Sequence, residues 1–269
     1  MEVHDAMTVE DPTARFAELL RGPESAVAPG EAALLIAAHA HPGLDVDAWL
    51  GRLDDLADGA PSEPAALARH LFVELGFAGN RVDYGDPRNS YLDDVVSRRL
   101  GIPITLSVVM IEVARRVGTT VEGVGMPGHF LVRTAGASDG YRYFDPFDRG
   151  VELSPEGCAA RLAELHPGVA FDPRFLDPVG SRAIVTRMLA NLEQTLLGRE
   201  PAAVVWVTRL RLLVPGVPPA TRRQLATRLG SLGAFSAAAD VLDALADEAG
   251  APGSTADEAA ARALRARAN

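Results

Sequence analysis

Lysine is absent from this chain of 269 residues, so all 26 of its basic side chains are arginine. That excludes Schiff-base chemistry, a phosphate-loop lysine and any internal lysine as acyl acceptor. Cysteine occurs once, at Cys158, which excludes an intramolecular disulfide, and CxxC metal or redox motifs are missing as well. No apolar run reaches membrane-spanning length, and the opening MEVHDAMTVEDPTARF has no basic segment followed by an apolar stretch. The expectation is a soluble, cytoplasmic protein in a reducing compartment. Positive charge is in deficit too. A formal charge of −10 and a pI near 5.1 argue against nonspecific binding to nucleic acid or anionic membrane.

What is present is a hydrophobic content of 48%, enough for a sizeable core. The most informative stretch runs from Asn89 to Asp148. Leu106, Val109, Met110, Val113 and Val117 recur at spacings of three and four, which places them on one face of a helix. Pro103 suits its first turn and Gly118 the position past its end. Upstream, Leu92, Val95, Val96, Arg99 and Leu100 predict a shorter helix stopping at Gly101.

After Gly118 the composition predicts strands over 119–124, 129–134 and 141–144. The turn-forming residues 136–140 join the last two as an antiparallel hairpin. If Ala135 pairs with Tyr141, Arg133 faces Tyr143, and His129 and Asp145 become diagonal neighbours on one face. A one-residue slip would separate them.

The ordered words YGDPRNSYLDDVVSRRLGIPITLSVVMIEVARRVG, VEGVGMPGHFLVR and FDPFDRG resemble the transglutaminase-like superfamily, and within it the bacterial SirB-one family. The resemblance implies an α+β, papain-like fold in which a central helix packs on a small antiparallel sheet, flanked by helical regions. In that superfamily a Cys at the start of the central helix attacks an amide carbonyl, a His takes the proton and an Asp orients the His. His129 takes the His place and Asp145 the Asp place. The Cys place falls within Pro103 to Ser107, where Thr105 and Ser107 offer only hydroxyls, which stay protonated at neutral pH. Asn89 and Tyr91 match positions associated with binding in the family; capping of the next helix by Asn89 or Ser90 is the equal alternative.

Cys158 follows Ser154-Pro155-Glu156, a capped helix start, and shares a face with Leu162 and Leu165. A buried apolar role is favoured over that of a substitute nucleophile. His39 and His41 diverge as an i,i+2 pair and no acid or Cys lies at ligand spacing along the chain, so no metal and no cofactor are expected. His70 and His166 are single histidines without a motif.

Around the core, residues 12–75 carry helical stripes broken at Gly22-Pro23, His41-Pro42-Gly43 and Gly59-Ala60-Pro61. Beyond Pro178, helical patterns cover 184–197, 202–213, 221–229 and 235–249, with a terminal helix or frayed tail over 251–269. The Ala-rich faces look like tetratricopeptide-style hairpins, or a cap on the core. The expected division is 1–75, an N-terminal helical region; 76–178, the core; and 179–269, the C-terminal helical region. The functional expectation is a noncatalytic protein that binds a protein or peptide. The alternative is a hydrolase or acyl-transfer enzyme using Thr105, Ser107 or Cys158 with His129 and Asp145.

Overall fold

The computed structural model describes residues 11–136, 140–249 and 255–268. The chain divides into two compact units, one ending at Met188 and one beginning at Leu189.

In the first unit the helices are α1 (Pro12–Arg21), α2 (Pro29–Ala40), α3 (Val46–Ala57), α4 (Pro64–Arg69), α5 (Leu92–Arg98), α6 (Pro103–Arg116) and α7 (Pro155–Leu165). The central helix, α6, starts at Pro103 as its proline predicts. Leu106, Val109, Met110 and Val113 are wholly buried. Helices α2, α3 and α4 pack on it from the N-terminal side of the chain. Past its end, the Thr119 N–H is still bonded to Ala114 O (2.8 Å). Residues 119–121 are therefore not strand, and β3 is confined to Glu122–Val124.

Strand β4 spans Leu131–Ala135 and β5 Tyr141–Asp145. Their register pairs Ala135 with Tyr141 and Arg133 with Tyr143, as the hairpin composition requires. Gly136 N–H bonds Gly140 O (2.8 Å) across the connection; residues 137–139 of the expected turn lie outside the described residues.

Several expectations are corrected. The helix before α6 ends at Arg98, because Arg99 adopts a left-handed conformation (φ 57°). Leu100–Gly101 then forms β2, parallel to β1 (Ala78–Gly79). Strands β6 (Val151–Leu153) and β7 (Pro178–Val179), absent from the pattern reading, complete a sheet in the order β6-β5-β4-β3-β7. Both are too short for period-two alternation to register. The N-cap of α5 is Tyr91, without a side-chain cap, so neither Asn89 nor Ser90 caps that helix.

One apolar cluster joins the sheet to α7: Val124, Leu131 and Tyr143 meet Cys158, Leu162 and Leu176. Ser154 caps α7 by accepting from Gly157 N–H (3.2 Å), with Pro155 in the first position.

Helix α8 (Ser181–Leu197) carries the chain through the division. The second unit holds α9 (Val204–Leu213), α10 (Pro219–Ser231), α11 (Phe235–Ala249) and α12 (Thr255–Ala268), with α10 packed on α9, α11 on α10 and α12 on α11. Among the described residues, no helix is long and apolar enough to cross a membrane.

Candidate functional site

His129 sits two residues before β4 begins, in a turn closed by its own N–H on Met126 O (3.1 Å). The preceding Gly128 has φ 66°, a conformation that favours glycine, and a Cβ there would lie 1.7 Å from His166 Nε2 and displace that ring. Arg187 braces the same turn by donating from Nη2 to Met126 O (2.9 Å) and His129 O (2.8 Å). Its guanidinium also lies over the Phe130 ring, 5.4 Å from the centroid, and burial lowers its pKa.

Asp145 ends β5 and caps the following turn, accepting at Oδ1 from Phe147 N–H (3.1 Å) and Asp148 N–H (3.2 Å). Its Oδ2 meets His129 Nε2 at 2.9 Å. The pair is closed in, His129 being 5% and Asp145 0% exposed. Arg161 of α7 approaches Asp145 Oδ2 to 3.6 Å and binds Asp148 Oδ2 at 2.6 Å. That bond holds the Asp148 carboxyl below its ordinary range. The turn Asp145 caps packs against α6, and its Phe147 ring stands edge-on to both His129 and Tyr84.

A buried His bonded through one nitrogen to a carboxylate is a base with its orienter. Among the described residues, that bond is the imidazole's only hydrogen bond; no hydroxyl or sulfur joins it. Thr105 is wholly buried and its hydroxyl is committed: it donates to Asn89 O (2.7 Å) and accepts from Ile102 N–H (3.1 Å) at the start of α6. Ser107 Oγ is buried with no hydrogen-bond partner among the described residues. Cys158 lies in the apolar cluster, where burial, reinforced by the Asp145 charge, pushes its thiol up to about 12. Such a thiol stays protonated at neutral pH.

Asn89 is wholly buried. Its amide donates to Asp83 O (2.8 Å) and Tyr84 O (3.2 Å) and accepts from Asn80 Nδ2 (3.0 Å), stitching the loop before α5 together. Tyr91 is also buried, edge-on to His41. Arg161, Arg187 and Phe147 escaped the sequence reading, since nothing in local spacing distinguishes them; only the DP-F-D turn after Asp145 hinted at Phe147. The loose pairing of His39 with His41 also resolves: His39 binds Leu35 O (2.8 Å), while His41 turns to Asp93 (2.7 Å), 52 residues further on.

The family profile described as "Transglutaminase-like superfamily" matches residues 45–190. A UPF0162 protein of Xylella fastidiosa is 39% identical over 222 residues, 74% of this chain and 79% of the relative. F-box only protein 21 of Mus musculus is 34% identical over 129 residues, 45% of this chain and 20% of that protein. No solved structure matches the chain.

Proposed function

Because the chain belongs to the transglutaminase-like superfamily, we propose that it uses the surroundings of His129 and Asp145 to bind a protein or peptide and does not turn it over. One observation carries this reading: the His129 imidazole bonds its orienting carboxylate, yet among the described residues no nucleophile is hydrogen-bonded to it. The superfamily's attacking group belongs at the start of the central helix. Here Thr105 spends its hydroxyl on the helix cap, and the single thiol is held protonated in the core. Asn89 and Tyr91 serve this surface as positioning residues, Asn89 by holding the 80–89 loop closed.

The finer assignment to the SirB-one branch rests on the three ordered motifs. The serial packing of α9 to α12 supports a tetratricopeptide-like C-terminal region, a second surface for a peptide. A cytoplasmic setting suits a chain whose only thiol is free.

The test has two arms. Partners captured from lysate by the intact protein should be lost with His129→Ala, Asp145→Ala. Purified protein should show no amidase, protease or transamidase turnover on generic peptide and glutamine-amide substrates. Turnover that vanishes in His129→Ala and in either Thr105→Ala or Ser107→Ala would replace this reading with that of a hydrolase.

A further inference from the structure

His41 closes α2, its N–H bonded to Ala37 O (2.9 Å), and its ring reaches the first turn of α5. Nδ1 lies 2.7 Å from Asp93 Oδ2, and Nε2 lies 3.5 Å from Asp94 Oδ2. One ligand atom from each residue can be chosen so that all lie within 4.8 Å of one another. We propose that His41, Asp93 and Asp94 form a binding site for a divalent transition-metal ion, zinc being the ion their chemistry suits best, which ties the end of α2 to the start of α5.

Three features carry the assignment. First, the ring is placed as a metal ligand: with Nδ1–H donated to Asp93, the carboxylate–histidine arrangement common behind metal-bound imidazole, Nε2 carries the lone pair and stands 3.5 Å from Asp94 Oδ2. Second, the spacing suits an ion between Nε2 and Oδ2. Ligands about 2.1 Å from a tetrahedral centre sit about 3.4 Å apart, against the 3.5 Å found. Third, Asp94 Oδ2, on the Nε2 side of the ring, is buried without a hydrogen-bond partner among the described residues, while Asp93, 8% exposed, holds the ring from its Nδ1 side. Buried carboxylate oxygens nearly always find a donor or a cation.

The surrounding charge agrees. Arg98 and Arg88 both bond Asp86, and Arg98 Nη1 is buried without a hydrogen-bond partner among the described residues; with Asp93 and Asp94, three carboxylates face two guanidinium groups. Imidazole with carboxylate is a donor set for zinc and its first-row neighbours, and a poorer one for magnesium, which prefers oxygen alone. The rival occupant is a second proton on His41, making the ring a cation paired with both acids.

Tag-free protein stripped with chelator and titrated with zinc sulfate by calorimetry separates the two. One zinc should bind per chain and raise the melting temperature, with magnesium at the same concentration giving no comparable shift. His41→Ala and, independently, Asp94→Asn should weaken zinc binding more than about tenfold; circular dichroism checks that each is folded. His70→Ala and His129→Ala should bind as the parent does, which keeps the result separate from the His129 site. Absence of zinc-dependent stabilisation in the parent, or binding undiminished in both His41→Ala and Asp94→Asn, overturns the proposal. Stability that depends on pH alone through this group, with no response to zinc, assigns the cluster to a protonated histidine instead.

Discussion

Asp145 Oδ2 stands 2.9 Å from His129 Nε2, although the two residues are sixteen apart in sequence and His129 lies outside the strand that aligns them. The contact exists because the β4–β5 register, with Val132 opposite Phe144, brings the end of β5 level with the start of β4, and a turn braced by Arg187 carries the imidazole there. Asp145 has more partners than His129. Its carboxylate also accepts two backbone N–H groups of the next turn.

That asymmetry predicts unequal losses. Asp145→Ala strips the acceptor from three donors in a closed site and should cost about 3 kcal/mol or more. His129→Ala leaves the carboxylate served by the turn and should cost at least about 1 kcal/mol less. Urea unfolding of the two variants checks the order; equal or reversed losses would show that the cap does not carry Asp145.

The Cys158 thiol gives a pH signature. Its folded pKa is raised to about 12 from an ordinary 9.0, so its contribution is fully present below about pH 9 and is lost as pH rises toward 12. Between pH 8 and 10.5 the parent should lose about 2 kcal/mol more than Cys158→Ala does, because only the unfolded parent releases the thiol proton. At neutral pH the variant itself should be about 1 kcal/mol less stable, through a small cavity. Thiol reagents should label the parent only after denaturation; rapid labelling of native protein would count against the buried reading.

Thr105 separates capping from catalysis. Thr105→Val removes a hydroxyl that bonds Asn89 O and Ile102 N–H and should destabilise by about 1–2 kcal/mol. Thr105→Ser keeps the cap and should recover most of it. Chemical denaturation of the pair decides; equal stability of Val and Ser would remove the cap as the reason for threonine.

Gly79 tests the ring beside His129. A Cβ there would lie 2.4 Å from the Phe147 ring. Gly79→Ala should cost about 1–3 kcal/mol by overpacking and shift the His129 imidazole resonances, since Phe147 stands edge-on to that ring. Phe147→Leu in the same chain should relieve part of the cost. An alanine variant with parent stability and unchanged resonances would mean that the contact has no consequence.

Much of the core was legible in the order of residues alone. The stripe from Leu106 to Val113, the proline that opens α6, the Ala135–Tyr141 register and the cap before Cys158 are all short-range matters. Backbone periodicity and a few turn residues decide them wherever the chain folds. The His129–Asp145 pairing followed because a hairpin converts local register into contact. Other features depend on segments meeting across long loops, where no spacing is preserved. Strands β6 and β7 exist only because a sheet edge was there to receive them. The inward amide of Asn89 answers to carbonyls on a loop that closes over it. Arg161, Arg187 and the union of His41 with Asp93 and Asp94 likewise wait on packing. A side chain's period says which face it occupies; only the closed chain says what that face meets.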